Sequence, residues 1–400
     1  MRLIVGGAGP GAPELFTQEF KAAAEAADMI ITSRRLEPVM EGLNGNVSVM
    51  SVSETIDHIK AHSAEDATVM VAASGDTGFY SIASAISRSC PEGVLIDYIC
   101  GVSSMQYFAA RTQHSYEDMK LISLHGKAGS IVPYVCYNRH VFALTGGEVK
   151  AEDIVEELLY ASMNDVTVWI GEDLSGDNER IVYGKPFELS ELTFSDLAVV
   201  IVDNNDYVNP YQTLRDSDFI RGNTPMTKES VRSLAISQLE IRPDDVVWDI
   251  GAGTGAMTCA MALKAHESVV CAVEKDLTAI ELINMNMLKL NIRNISLACG
   301  EAPSALDMFP APDKVFIGGT SGNLRGIIER ALAGNENAVI VVTAVTLETL
   351  SEAGKVMGEL GLTAETVCAN ISAAQKLGKY NLMKAENPVY IIKGVRKIDQ

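Results

Sequence analysis

Short apolar runs alternate along the chain with stretches whose apolar residues recur at helical spacing, and from Val246 onward the alternation is regular. Strands are predicted at 246–250, 269–273, 295–298, 314–317, 338–343, 363–371 and 389–393, with helices near 255–265, 276–290, 301–308, 321–333 and 346–360. Five helices linking six strands in this rhythm is the signature of crossover units and a parallel sheet. Residues 372–388 have weak periodicity and contain Gly378 and Pro388. They are expected as an excursion that returns the seventh strand to the sheet edge, paired with the sixth. The amino-terminal half also has an α/β pattern, with strands near 2–6, 28–32, 69–73, 94–98, 141–145, 166–170 and 198–202. Between the halves, Asp203-Asn204-Asn205-Asp206-Tyr207-Val208-Asn209-Pro210 is polar and rich in turn formers, the composition of a linker. The expected organisation is a first domain over 1–205, a linker over 206–215 and a second domain over 216–400.

Composition agrees with two domains, because 400 residues exceed the usual size of one hydrophobic core. Apolar runs such as Val269-Val270-Cys271-Ala272-Val273 are too short to cross a bilayer, and Met1-Arg2-Leu3-Ile4-Val5 leads into a strand without a cleavable signal. A cytoplasmic protein without a membrane partner is expected. The seven cysteines, at 90, 100, 136, 259, 271, 299 and 368, have neither disulfide nor zinc spacing, so no metal is expected. A net charge of -20 argues against a nucleic-acid partner, which would need a positive surface. The charge is uneven: residues 1–205 hold 13 Lys and Arg against 29 Asp and Glu, and residues 206–400 hold 19 against 23.

The sharpest local pattern is strand Val246-Val247-Trp248-Asp249-Ile250 running into Gly251-Ala252-Gly253-Thr254-Gly255 and then a helix. Glycines here permit a sharp turn and let a ligand approach the main chain and the helix N-terminus. The next strand ends at Glu274, an acid placed to accept hydrogen bonds from ribose hydroxyls. An adenosyl ligand fits. So does a nicotinamide dinucleotide, since Gly251, Gly253 and Ala256 also satisfy G-x-G-x-x-G/A. Gly255 and the antiparallel last strand favour methyl transfer.

Three further segments carry a family resemblance: Phe219-Ile220-Arg221-Gly222-Asn223-Thr224-Pro225-Met226-Thr227-Lys228, Cys299-Gly300-Glu301-Ala302-Pro303, and Val315-Phe316-Ile317-Gly318-Gly319-Thr320-Ser321-Gly322-Asn323. With the glycine turn they resemble the precorrin methyltransferases of cobalamin biosynthesis that methylate C15 and decarboxylate the C12 acetate. The resemblance spans about residues 216–395. It implies a Rossmann-like, seven-stranded class I methyltransferase whose S-adenosylmethionine site includes Thr227, Gly251, Ala252, Gly253, Thr254, Gly255, Glu274 and Ala302. The loop containing Gly318, Gly319 and Asn323 is expected to meet the tetrapyrrole, and Arg221 and Lys228 are candidate cations for its carboxylates. No nucleic-acid amino methyltransferase motif follows strand four, where Ile317-Gly318-Gly319-Thr320 stands instead.

In the first half, Val5-Gly6-Gly7-Ala8-Gly9-Pro10-Gly11 is alone a weak phosphate-loop lookalike. It is followed by Ala73-Ser74-Gly75-Asp76-Thr77-Gly78-Phe79-Tyr80, Gly101-Val102-Ser103-Ser104-Met105-Gln106-Tyr107, Ser123-Leu124-His125-Gly126 and Leu144-Thr145-Gly146-Gly147. In this order the segments resemble the C5-methylating branch of the tetrapyrrole methylase family, with Thr77 where many members have proline. The resemblance implies two α/β subdomains around a cleft and a second S-adenosylmethionine site lined by Pro10, Ser74, Gly75, Asp76, Phe79, Ser103, Ser104, Thr145 and Leu174. Asp76 is either a ligand contact or a turn cap. His125 is either a general base or a hydrogen-bonded structural histidine. Trp169 and Trp248 are expected in the core.

The combined resemblance implies a homo-oligomeric enzyme with one S-adenosylmethionine site per domain, acting at C5 and C15 of a precorrin or cobalt-precorrin. The residues alone leave open a nicotinamide oxidoreductase fused to a methylase, and an adenosyl-binding regulatory protein. They assign no general acid or base.

Overall fold

The computed structural model describes residues 1–126 and 129–396, so the last four positions of the predicted second domain lie outside the described residues. The chain divides into one unit of residues 1–131 and 139–204 and a second of residues 132–138 with 205 onward. No helix among the described residues is long and apolar enough to cross a membrane.

The first unit contains two five-stranded sheets. One is built from β1 (Arg2–Gly7), β2 (Met29–Thr32), β3 (Val47–Val49), β4 (Thr68–Ala73) and β5 (Leu95–Ile99), in the order β3-β2-β4-β1-β5. All its neighbours are parallel. Strand side chains alternate between two cores: Ile4, Ile30 and Met70 pack with Phe20 and Met40 on one face, while Leu3, Val5, Ile31, Val69 and Val71 pack with Ile59 and Ile86 on the other. Burial on both faces explains why these strands read as continuous apolar runs.

The second sheet is mixed. It comprises β6 (Lys120–Ser123), β7 (His140–Leu144), β8 (Thr167–Glu172), β9 (Arg180–Gly184) and β10 (Ala198–Asp203), in the order β6-β7-β10-β8-β9. The pattern along the chain misses β3, β6 and β9. Each is an edge strand of three to five residues whose apolar run is at most three residues long, Ile181-Val182-Tyr183 in β9, too short to stand out from the pattern.

The second unit is a seven-stranded sheet of β11 (Val247–Ile250), β12 (Val270–Glu274), β13 (Ile295–Cys299), β14 (Lys314–Ile317), β15 (Val339–Ala344), β16 (Leu362–Ala369) and a last strand at Val389–Arg396. Residues 372–388 are not a plain loop, since β17 (Ser372–Leu377) and β18 (Tyr380–Ala385) form an antiparallel hairpin. Its residues are all exposed, which removes the alternation that would reveal strands. The last strand, β19, does pair with β16, but it also pairs antiparallel with β15 and is therefore interior; β16 is the edge. The predicted helix over 301–308 is reduced to one turn, Ser304–Leu306. Trp248 is fully buried and its indole N–H donates to the Pro310 carbonyl at 3.0 Å.

Candidate functional sites

In the second unit the carboxyl ends of β11, β12, β14 and β15 open onto a cavity of about 1200 Å³. A single small-molecule pocket usually holds about 300–1,000 Å³, so this one has room for a donor and an acceptor together. Gly251, Gly253 and Gly255 all have positive φ. At Gly251 the turn is also a close crossing: a Cβ there would lie 2.9 Å from the Gly319 nitrogen. Gly318 and Gly319 thus pack directly beneath the turn, their N–H groups donating to the Ile250 carbonyl at 2.9 and 3.3 Å.

Glu274 ends β12 with its carboxylate already aimed. One oxygen accepts from the Gly253 N–H at 2.9 Å, the other from the Lys275 and Asp276 N–H groups at 2.8 and 3.0 Å. A carboxylate offers about four lone-pair sites, so one remains for a ribose hydroxyl. Beneath the turn, Asp249 is fully buried, with one oxygen bonded to the Thr258 hydroxyl and the other without a partner among the described residues. Burial pushes its pKa up to about 7; the Thr258 bond opposes the shift and Glu274 adds to it.

Thr227, Lys228, Gly251, Ala252, Gly253, Thr254, Glu274, Ala302, Gly318 and Gly319 all line this cavity. Three expected residues do not. Gly255 stands behind the turn as the N-cap of helix Ala256–Lys264, against Ile283. Arg221 bonds the Asp216 carbonyl at 2.8 Å and pairs with the Asp216 carboxylate at 3.9 Å. Asn323 caps helix Leu324–Gly334 through the Gly326 N–H.

The residues that hold the upstream segment in place were not foreseen. Arg232, 2% exposed, donates to the Leu214 and Thr227 carbonyls at 2.6 and 2.8 Å and pairs with Asp216 at 3.2 Å. Buried Asn286 accepts from the Ile220 N–H at 2.6 Å and donates to the Thr254 carbonyl at 2.8 Å, tying that segment to the glycine turn. The hairpin was also unforeseen as a wall, contributing Gln375 and Lys384.

The first unit has its own cavity, about 370 Å³, in a cleft between its two sheets. Pro10, Ser74, Ser104, Thr145 and Leu174 line it, together with Arg35, Tyr80 and His125. Four of the expected residues, Gly75, Asp76, Phe79 and Ser103, do not line it. Both Asp76 oxygens accept backbone N–H groups, Gly78 at 2.8 Å and Gly101 at 3.0 Å, which makes it a clamp between the loops after β4 and β5. These loops touch closely, since a Cβ on Gly101 would lie 2.6 Å from the Gly75 carbonyl oxygen. Gly75 bridges to Gly9. Ser103, 3% exposed, caps helix Ser104–Thr112 through the Gln106 N–H. Phe79 packs into the core beside Phe142, with ring centres 6.0 Å apart.

Arg35 was missed because nothing local marks it. Its guanidinium donates to the Pro10 carbonyl at 2.5 Å and to the Ser74 hydroxyl, and no carboxylate among the described residues forms an ion pair with it. Desolvation lowers its pKa and Asp173 partly offsets the effect. His125 Nδ1 lies 3.2 Å from the Thr145 carbonyl. A carbonyl only accepts, so Nδ1 carries the proton and the neutral ring keeps its lone pair on Nε2.

Residues 2–190 match the model of the Tetrapyrrole (Corrin/Porphyrin) Methylases, and residues 218–396 that of the Precorrin methyltransferase domain. A probable cobalt-precorrin-6B C(15)-methyltransferase (decarboxylating) of Pyrobaculum calidifontis is 40% identical over 188 residues, 46% of this chain and 96% of that protein. A precorrin-6Y C(5,15)-methyltransferase [decarboxylating] of a Sinorhizobium species is 27% identical over 286 residues, 70% of this chain and 69% of that one. Among solved structures, a precorrin-6Y C5,15-methyltransferase from Geobacter metallireducens is 34% identical, covering 46% of this chain and 97% of that chain with a TM-score of 0.44. Two methyltransferase modules in this order, each matched by its own family model, decide against the hydride-transfer reading of the glycine turn, and the chain belongs to the decarboxylating precorrin methyltransferases, a C15-methyltransferase domain preceded by a tetrapyrrole methylase domain.

Proposed function

We propose that the chain methylates a precorrin or cobalt-precorrin macrocycle at C5 and C15 and decarboxylates its C12 acetate, with one S-adenosylmethionine site in each unit. The observation that carries this is the pair of separate cavities at carboxyl edges of two unrelated sheets, the usual place for ligands in α/β proteins. The domain boundary we adopt is 1–205 and 216–400 with a linker between.

A sulfonium methyl is already electrophilic, and a meso carbon of a reduced tetrapyrrole is nucleophilic through its conjugated nitrogens. Each unit therefore needs chiefly to hold the two in line, a contribution of up to about 7–11 kcal/mol. Transferring a methyl group leaves sulfur neutral and brings one positive charge to the macrocycle, which must then be relieved. At C15 the C12 acetate can relieve it, because loss of CO2 returns the carboxylate's electron pair to the ring; the carboxylate is consumed and no base is required. At C5 no carboxylate leaves, so a proton must, and His125 Nε2 is the acceptor we assign. Arg35, Lys228 and Lys384 are our candidates for the remaining carboxylates. Thr227, Glu274 and the Ala302 main chain are assigned to the C-terminal donor, and Pro10, Ser74, Ser104, Thr145 and Leu174 to the N-terminal one. We further expect a cytoplasmic homo-oligomer without a nucleic-acid partner. The exposed Leu377, Tyr380, Leu382 and Met383 of the hairpin support self-association.

The test is mass spectrometry of product after incubation with S-adenosylmethionine and metal-free or cobalt-loaded substrate. Two added methyl groups with loss of CO2 are expected from the wild type. Glu274→Ala should retain C5 methylation and lose both C15 methylation and CO2 release. Loss of all three in a folded Glu274→Ala protein would overturn the assignment of one site per unit.

A further inference from the structure

His140 opens β7, and in the antiparallel register it faces Asp203 at the end of β10. His114, just beyond helix Ser104–Thr112, turns toward the same carboxylate. His140 Nδ1 lies 2.8 Å from one Asp203 oxygen and His114 Nε2 lies 3.1 Å from the other. One donor atom from each of the three residues falls within 4.8 Å of the others. This group is remote from the cleft. His140 and the cleft residue Leu144 are the two ends of β7, which at about 3.3 Å per residue puts them about 13 Å apart.

The hydrogen bonds around the cluster constrain what joins it. The Thr112 hydroxyl donates its single proton to the Phe108 carbonyl at 2.8 Å, so toward His114 Nδ1, also at 2.8 Å, it acts as acceptor. Nδ1 therefore carries the ring proton, and a neutral His114 points the Nε2 lone pair at Asp203 Oδ2. That oxygen already accepts the Trp169 indole N–H at 2.9 Å. Two acceptors facing each other at 3.1 Å require something positive between them. Trp169, expected in the core, is only half-buried and stacks on Tyr183 with ring centres 4.4 Å apart.

We propose that His114, His140 and Asp203 bind a divalent first-row transition-metal ion of the zinc class. Two imidazoles and a carboxylate are a borderline-soft donor set suited to such ions. Tetrahedral zinc with bonds of about 2.0–2.1 Å has donor-to-donor edges of about 3.3–3.4 Å, so the 2.8 and 3.1 Å spacings to the two Asp203 oxygens would open by a few tenths of an ångström as the ion enters. The surroundings of a metal site are also present: Thr112 fixes the His114 tautomer and Trp169 orients the carboxylate, as outer-sphere partners do. Ligands 26 and 63 residues apart in sequence have no recognisable spacing, which is why the chain read by itself suggests no metal. Such an ion would join β7, β10 and the segment after the helix at the point where the chain leaves the first unit.

The experiment uses the untagged full-length protein, stripped with a chelator and titrated with zinc, and with cobalt(II) as a visible-absorption probe. One ion per chain is expected, with d–d bands from the cobalt form. At a hundredfold excess of zinc over its Kd, the melting transition of the first unit should rise by about 5–10 °C. His114→Gln and Asp203→Asn should abolish binding, and Thr112→Val should weaken it about 10–100-fold. If Asp203→Asn fails to fold, His140→Gln decides, with at least a tenfold loss of affinity expected. A wild type that takes up no stoichiometric ion, or that binds zinc as tightly as His114→Gln and His140→Gln do, overturns the proposal and leaves a proton as the bridge.

Discussion

The C-terminal cavity, about 1200 Å³, has no histidine among its lining residues, whereas the N-terminal cleft, about 370 Å³, has His125 in its wall with Nδ1 committed to a carbonyl. Under the proposed assignment of one methyl transfer to each unit, the difference matches the two ways in which the positive charge gained with a methyl group can leave the macrocycle. Where a carboxylate departs as CO2, the wall needs shape and a place for the donor. Where a proton departs, the wall needs a base. The two cavities are also held differently. The C-terminal one rests on buried side chains that clamp main chain, Arg232 and Asn286. The cleft is shared by two sheets and rests on loops that clamp each other through Asp76.

The largest expected effect tests the base. His125→Asn should lower C5 methylation by about 10²–10⁴-fold and leave C15 methylation and CO2 release unchanged. A drop of less than threefold, measured by product mass, would break the contrast by reducing His125 to a structural residue. Next comes the clamp. Arg232→Met should destabilise the second unit by about 2–4 kcal/mol, because it leaves the Leu214 and Thr227 carbonyls without their donor and takes from Asp216 the nearer of its two cations, Arg221 remaining at 3.9 Å. Denaturant unfolding that also moved the first unit's transition would contradict two independent scaffolds.

Asp249 gives a pH dependence confined to the second unit. Its folded pKa, about 7, lies above the unfolded value, so the protonated form is the one the fold favours. The stability it contributes is fully present below about pH 4 and is lost as pH rises through 7, in total about 4 kcal/mol. Asp249→Asn stays neutral, so its stability relative to wild type should grow between about pH 5 and pH 8; a constant difference would show that the group does not titrate in this range. Smallest is Asp76→Asn. It keeps one acceptor and leaves one loop N–H unmatched, at about 1–3 kcal/mol, and should raise the S-adenosylmethionine Kd of the first unit without abolishing C5 methylation. Isothermal titration would check it, and complete loss of C5 turnover with folding intact would return Asp76 to direct ligand contact.

The C-terminal site was the more legible of the two because its donor pocket is local. A strand, a glycine turn and an acid at the end of the next strand fall within about 30 residues, and each glycine has a backbone reason to be there. What stayed hidden was tertiary. Nothing near Arg232 or Asn286 says that they hold Thr227 and Thr254, and an all-exposed hairpin has no alternation to betray it. The cleft draws on at least six separate segments, so the motifs reach its loops while several of the side chains they name turn away from the cavity. Asp76 and Ser103 are polar residues in glycine-rich or cap positions. Such residues satisfy their own backbone as readily as a ligand's, and only the fold decides between the two. Tyr80 faces the cleft while its neighbour Phe79 turns into the core, a one-residue difference set by the loop.

The interior position of β19 also orders events during folding. Among the described residues β16 has no partner in the sheet other than β19, so until residues 389–396 emerge and align, an eight-residue strand waits with both edges unpaired. Closure is then a long-range step, slow relative to the local crossovers before it, and the open slot between β15 and β16 is the surface at which a nascent or truncated chain would aggregate. A cut before residue 389 should therefore release insoluble second units, while the first unit, complete by residue 204, has no part in that closure.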